Sequence, residues 1–192
     1  MDIVIPLEDE NSKDDKPSVW EEFVPIVQTN DEYHIYMLDE ISQPYNYAKL
    51  THLLYTADAS EVVNLHVNTV GGDLSSVVQI CGAMGVCKAK VVVHLAGQVY
   101  SGGTFITMYA DELRVAPNTR FMIHNYSGGI GGKGNEVKAE QAFMEDYAPA
   151  LYRDVYAGFL TPEEIELVLD DKDKWMSTEE VLKRWNRKQN RT

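Results

Sequence analysis

Residues 33–38 (YHIYML), 62–68 (VVNLHVN) and 91–96 (VVVHLA) gather aromatic and β-branched side chains into short runs, the pattern of strands. Between them, apolar positions recur every three or four residues, the pattern of amphipathic helices. Pro44 opens one such segment, with Leu50, Leu53 and Leu54 on one side. Residues 74–89 form another, carrying Val77, Val78, Cys81 and Met84 at helical spacing. The 91–96 run is nearly all apolar, as expected of a strand with helices over both faces.

Shorter segments follow. Residues 101–109 read as a helix, and residues 112–115 and 120–125 as strands. A long helical pattern occupies residues 135–160. Thr161-Pro162-Glu163-Glu164 then restarts a helix: Thr161 caps, Pro162 suits the first helical position, and Glu164 reaches back to the cap. Ser177-Thr178-Glu179-Glu180 repeats that arrangement for a last helix. Strands alternating with helices predict an α/β fold with a parallel-rich sheet covered on both faces, without internal repeats or a second domain.

The ends differ from the middle. Residues 1–20 are polar, contain Pro6 and Pro17, show no period, and read as a flexible acidic arm. Residues 21–181 form the folded domain, and residues 182–192 a basic tail. The chain of 192 residues is 44% apolar, enough for one globular core. No apolar run approaches the roughly 18 residues of a membrane helix, so no membrane association is expected. Residues 1–10 have neither the basic start nor the apolar stretch of a secretory signal. The net charge is −13, which repels phosphate backbones and argues against general nucleic-acid binding. Lys183, Arg184, Arg187, Lys188 and Arg191 read as a solvated tail, with contact to nucleic acid or an acidic partner as the alternative. The two cysteines, Cys81 and Cys87, fit neither a redox pair nor a zinc site. Set six apart on one helix, they read as core thiols in a reducing compartment, the cytoplasm. No metal or other cofactor is expected.

Glycines crowd around a polar group in three places. Asn68-Thr69-Val70-Gly71-Gly72 ends a strand, where paired glycines free backbone N–H groups for a ligand or simply make a tight turn. Gly97-Gln98-Val99-Tyr100-Ser101-Gly102-Gly103 sets a serine at a strand-to-helix corner, as a nucleophile or a helix cap. It is not the G-x-S-x-G elbow, because position 99 is valine. His124 closes the apolar run Phe121-Met122-Ile123, ahead of a glycine-rich stretch over residues 127–134. His66 and His94 lie within strands and read as packing or surface residues; His34 and His52 have no supporting constellation. Gly129, Gly131 and Gly134 spell G-x-G-x-x-G, but no strand with an acidic ribose ligand follows, so a dinucleotide site is not expected.

Taken together and in order, these segments resemble the ClpP family, the proteolytic subunits of the ATP-dependent Clp proteases, with the ClpP/crotonase fold. Asn68 to Gly72 resembles the family's N-S-P-G-G, and Gly97 to Gly102 its G-Q-A-A-S-M around the nucleophile. Pro117-Asn118 with Met122-Ile123-His124 resembles its L-P-N…M-I-H, and Asp173-Lys174-Trp175-Met176-Ser177 its D-R-F-(L/M)-S. The resemblance runs over residues 33–181. It departs at Thr69-Val70, at Tyr100 beside the serine, at Gly102 where methionine is usual, and at both ends. Divergent members with altered ends occur in phages, linked there to capsid maturation, so a phage capsid-maturation (prohead) protease is an alternative reading.

The resemblance implies a serine endopeptidase with Ser101, His124 and Asp173 as catalytic residues, Asp170 and Asp171 being nearby rivals for the third place. It implies an oxyanion hole from the N–H groups of Gly72 and Gly102, and substrate contact at Gly71, Gly128 and Gly129. The glycine stretch and long helix would form a protruding handle. Peptide or unfolded polypeptide is the implied substrate, and a homo-oligomeric ring, heptameric or stacked, the implied assembly, with a Clp-type ATPase as partner in question. Two rivals remain: a non-catalytic, structural or regulatory subunit of this kind, and a crotonase-type acyl-CoA enzyme.

Overall fold

The computed structural model describes residues 24–128 and 131–190; the N-terminal arm, Gly129 and Arg191 lie outside them. A seven-stranded sheet runs β1 (Ile26–Thr29), β2 (Glu32–Met37), β3 (Val62–Thr69), β4 (Lys90–Tyr100), β6 (Arg120–Ile123), β7 (Lys174–Met176), with β5 (Glu112–Val115) also paired to β4. The β2–β3, β3–β4, β4–β5 and β4–β6 pairs are parallel; β1–β2 and β6–β7 are antiparallel. The helices are α1 (Ala48–Thr56), α2 (Leu74–Gly85), α3 (Gly102–Met108), α4 (Gly134–Val155), α5 (Pro162–Leu169) and α6 (Thr178–Gln189). A short 3-10 turn, Pro44–Tyr47, precedes α1. The predicted α/β class with a parallel-rich sheet flanked by helices is the observed one.

Alternation along the strands explains where the core sits. Ile35 and Met37, Val63, Leu65 and Val67, and Val91, Val93 and Leu95 are all buried on one face of β2, β3 and β4, in a single cluster with Val77, Ile80, Phe105 and Ile106 of the helices. The opposite face of the same strands carries half-buried His34, Tyr36, His66 and His94.

Four boundaries differ from the sequence reading. Helix α2 ends at Gly85, not at residue 89, so Cys87 lies beyond the helix that carries Cys81. Cys81 is buried, which pushes its thiol well up; Cys87 is half-buried. Strand β4 continues to Tyr100, not to residue 96, because its pairing slips: Val67 pairs Leu95, but Thr69 pairs Val99. Gly97 turns there at a φ of 67°, and Asn68 Oδ1 accepts the Gln98 N–H at 3.0 Å. Past this bulge β4 exchanges β5 for β6 as its neighbour. Helix α4 ends at Val155, and the chain turns through buried Tyr156, Phe159 and Leu160. Finally, residues 182–189, read as a tail, are the last turns of α6, with Trp185 buried in the core.

Helix α4 buries only Ala148, Tyr152 and Val155; its first half is exposed, with Phe143 stacked on Tyr147 at the surface. That first half adds nothing to the buried core.

Candidate active site

The bulge in β4 brings its end against β6. Gln98, Val99 and Tyr100 pair with Arg120, Phe121 and Met122, and the Ser101 N–H donates to the Met122 carbonyl at 2.9 Å. Ser101 therefore follows the last paired residue of β4, and His124 follows the last residue of β6. On the far side, β7 runs antiparallel with Ile123 opposite Lys174. His124 and Asp173 are the next residues beyond that last pair, one on each strand. Ser101, His124 and Asp173 thus each stand one residue beyond the end of one of three neighbouring strands.

Ser101 has φ 49° and ψ −120°, outside the regions a serine favours. Three contacts hold it there. Its N–H is tied to Met122, its carbonyl accepts the Thr104 N–H at 2.9 Å, and the same carbonyl accepts the Thr104 hydroxyl at 2.6 Å. Gly71 closes from below: a Cβ there would stand 2.6 Å from Ser101 Cβ. A side chain on Gly71 would displace the serine.

The two glycine segments meet beside Ser101, where a Cβ on Gly71 would also stand 3.0 Å from Gly102 N. Gly71 O accepts the Ile41 N–H at 2.7 Å, and Ile41 O accepts the Asp73 N–H at 2.8 Å, which leaves the Gly72 N–H outside that ladder. Gly72 has φ 151°, and a Cβ there would lie 2.1 Å from Ile41 O, so no other residue fits. Gly102 is the first residue of α3, where backbone donors have no partner within the helix. A Cβ on Gly102 would strike Val77 Cγ2 at 2.5 Å, so the methionine usual in the family has no room here. The Gly71 N–H donates to Thr69 Oγ1 and its carbonyl accepts from Ile41, so both its polar groups are engaged within the protein. Gly128 is exposed with open space around it.

Among the described residues, no hydrogen bond or ion pair joins Ser101 to His124 or His124 to Asp173. Such bonds often tighten only when substrate binds. Asp173 is exposed and His124 half-buried. The rival Asp171 is engaged elsewhere: its Oδ1 accepts from Asn125 Nδ2 at 3.0 Å, and the same Nδ2 donates to Leu169 O at 3.1 Å. Asn125 thereby ties the loop bearing Asp173 to the end of β6. Beside Ser101, the Tyr100 ring meets Trp175 edge-on at 5.3 Å, and Arg120 lies 6.0 Å from its centre.

Sequence reasoning missed a second layer. The Tyr152 hydroxyl donates to the His124 carbonyl at 2.7 Å, and the Tyr156 hydroxyl meets Thr104 Oγ1 at 2.5 Å. Both tyrosines sit on apolar positions near the end of the long helical pattern, where they read as core. Their signal was a phenol where leucine would serve, since a buried hydroxyl needs a partner.

The family described as Clp protease matches this chain over residues 21–184. The chain is similar to the ATP-dependent Clp protease proteolytic subunit 2 of Pseudomonas aeruginosa, 31% identical over 129 residues, which are 65% of this chain and 63% of that protein. It is 30% identical over 133 residues to the ATP-dependent Clp protease proteolytic subunit of Streptococcus agalactiae serotype V, covering 65% of this chain and 66% of the relative. Its likeness to the subunit of Paracoccus denitrificans is 30% over 141 residues, 69% of this chain and 68% of the relative. The chain thus spans a little under two thirds of the length of the first two relatives.

Proposed function

The chain belongs to the Clp protease family, and from that premise we propose that it is a serine endopeptidase acting through Ser101, His124 and Asp173. One observation carries the reading: a serine in a forced backbone conformation, with Gly71 of a separate segment packed so closely that a Cβ there would stand 2.6 Å from Ser101 Cβ. Ser101 Oγ attacks the scissile carbonyl carbon. His124 takes the hydroxyl proton and returns it to the leaving amine. Asp173 orients the imidazole and stabilises its cationic form. The N–H groups of Gly72 and Gly102 receive the negative charge on the tetrahedral oxygen; loss of one such donor typically costs about 10²–10³ in rate. Gly128 and Gly129 are proposed to meet the peptide backbone of the substrate, and Gly71 supports the floor beneath the nucleophile.

The substrate in this reading is unfolded polypeptide, and the working form a cytoplasmic homo-oligomeric ring, with a Clp-type ATPase as a candidate partner. The exposed half of α4 supports assembly, since it leaves Phe143 61% exposed. No helix of the described residues is long and apolar enough to cross a membrane.

The test pairs a fluorophosphonate probe and unfolded casein with the wild type and Ser101→Ala, each sized by light scattering. Labelling and cleavage by the wild type are expected, and Ser101→Ala should lose both, by about 10³-fold or more in rate. A second reading, a non-catalytic subunit, draws on the absence of a bond between Ser101 and His124. An assembled wild type that takes no label would establish that reading instead.

A further inference from the structure

The buried end of α4 reaches the site at two points one helical turn apart. Tyr152 donates its hydroxyl to the carbonyl of His124 at 2.7 Å. Tyr156 reaches Ser101 through Thr104. The Thr104 hydroxyl has a single proton, and that proton is given to Ser101 O at 2.6 Å. The contact between Tyr156 and Thr104, at 2.5 Å, must therefore run from the phenol to Thr104 Oγ1. The two branches end on the backbone carbonyls of the nucleophile and the base, the two residues with no side-chain bond to each other.

Resting on the peptidase reading above, we propose that Tyr152 and Tyr156 are positioning residues that set the distance and angle between Ser101 and His124 from helix α4.

Three observations carry this. First, both phenols are almost wholly buried, at 3% and 0% exposure, and their burial pushes their ionisation far up, so each keeps its proton to donate. Second, their rings are fixed: Phe105 of α3 meets Tyr152 edge-on at 5.2 Å and Tyr156 at 5.3 Å. A hydroxyl on a locked ring holds its partner more narrowly than one on a mobile chain. Third, Ser101 needs holding, because its φ of 49° is one that a serine leaves when released. Bonds in series polarise one another, so the chain from Tyr156 through Thr104 to Ser101 is stiffer than its separate links. A shift of about 1 Å between reacting groups can cost about 10²-fold in rate.

The experiment uses the full chain and phenylalanine, which keeps each ring and removes only the hydroxyl. Tyr152→Phe and Tyr156→Phe should each lower kcat on a fluorogenic peptide about tenfold while KM changes less than twofold. The double variant should lose about the product of the two, since the branches are separate. Tyr156→Phe combined with Thr104→Val should lose no more than Thr104→Val alone, since those two act in one chain. Tyr152→Phe should also displace the kcat/KM pH profile, which loss of fold stability alone would not do. In the Ser101→Ala background, with histidines labelled with nitrogen-15, Tyr152→Phe should move the His124 ring signals and Tyr156→Phe should leave them in place. A wild type that takes no fluorophosphonate label overturns the peptidase reading and the positioning role with it. A labelled wild type whose Tyr152→Phe variant keeps kcat within twofold and its His124 signals unmoved overturns the positioning role alone.

Discussion

Ser101 holds a conformation that serine disfavours, and glycine adopts it freely. That strain typically costs about 1–3 kcal/mol. Ser101→Gly should therefore be more stable than Ser101→Ala by about 1 kcal/mol, read from urea midpoints, although both are inactive. Equal midpoints would mean the backbone is relaxed there. Gly72→Ala is the opposite case, because its new methyl would meet Ile41 O at 2.1 Å. It should lower the melting temperature by several degrees and abolish labelling. At this scale the sequence was informative wherever the backbone itself is unusual. Crowded glycines and the order of four motifs made Ser101, Gly72, Gly102 and His124 candidates. It could not pick out Tyr152, Tyr156 or Asn125, whose roles depend on where a hydroxyl or amide points, and helical spacing does not record that.

Elements were most legible where they begin. The Thr161 cap forms both legs of its box, with Thr161 Oγ1 accepting the Glu164 N–H at 3.2 Å and Glu164 Oε2 accepting the Thr161 N–H at 3.0 Å. Ser177 makes only its own leg, because the Glu180 carboxylate turns to Arg184. The end of β4 was hidden because the bulge depends on Asn68 reaching across from β3, a contact 30 residues away in sequence. Helix α6 looked like a tail because its cations hide their partners: Arg184 meets Glu164 at 2.7 Å, and Lys188 donates to the Met108 carbonyl at the end of α3. Glu164 binds three elements, pairing with Arg184 of α6 and with Lys174 of β7 at 2.8 Å while it caps α5. The hydrogen bond from Arg184, ahead of that from Lys174, pulls its carboxyl far below its ordinary value of 4.5. A carboxyl lowered in the folded state contributes stability that is complete above its unfolded value and is lost as pH falls below it. Glu164→Gln should therefore melt several degrees below the wild type at pH 7, and the gap should close as the pH drops from 5 towards 2. A gap that persists unchanged at pH 2 would mean the ion pairs are not its source.

Across the whole molecule, alternation of strand and helix was enough to give the class, and nearly continuous apolar strands suggested cover on both faces. Three adjacent strands instead carry an imidazole ladder on the second face. His34 and His66 stack at 5.5 Å, His66 and His94 at 4.6 Å, and Tyr36 lies over His66 at 4.6 Å. The ladder was invisible in sequence because register, not spacing, aligns His66 with His94 and sets His34 two residues out of step, opposite Asn64. His34 Nδ1 lies 3.2 Å from His66 Nε2, and His94 Nε2 lies 2.9 Å from Asn64 Oδ1. The charged neighbours are few: Glu32 faces His34 at 3.6 Å, while Glu112 and Arg114 of β5 act on His94. Burial, then the charge of His34, lowers the ionisation of His66; burial, then His66 and Arg114, lowers that of His94, against a smaller opposing pull from Glu112. Both rings thus bind protons more weakly folded than unfolded, so the unfolded chain takes up more protons below its ordinary histidine value of 6.5. Stability from this face is then full above that value and falls as the pH drops through the lowered folded values. A melting series from pH 8 to pH 5 should show a decline that His66→Phe together with His94→Leu flattens, since both side chains stay apolar and neither position can take a proton. Wild type and variant declining in parallel would assign the acid sensitivity to carboxylates elsewhere. The substitutions lie on the far face of strands whose buried side carries the core, so any loss of labelling at Ser101 at pH 7.5 would show that strand register, rather than charge, had changed.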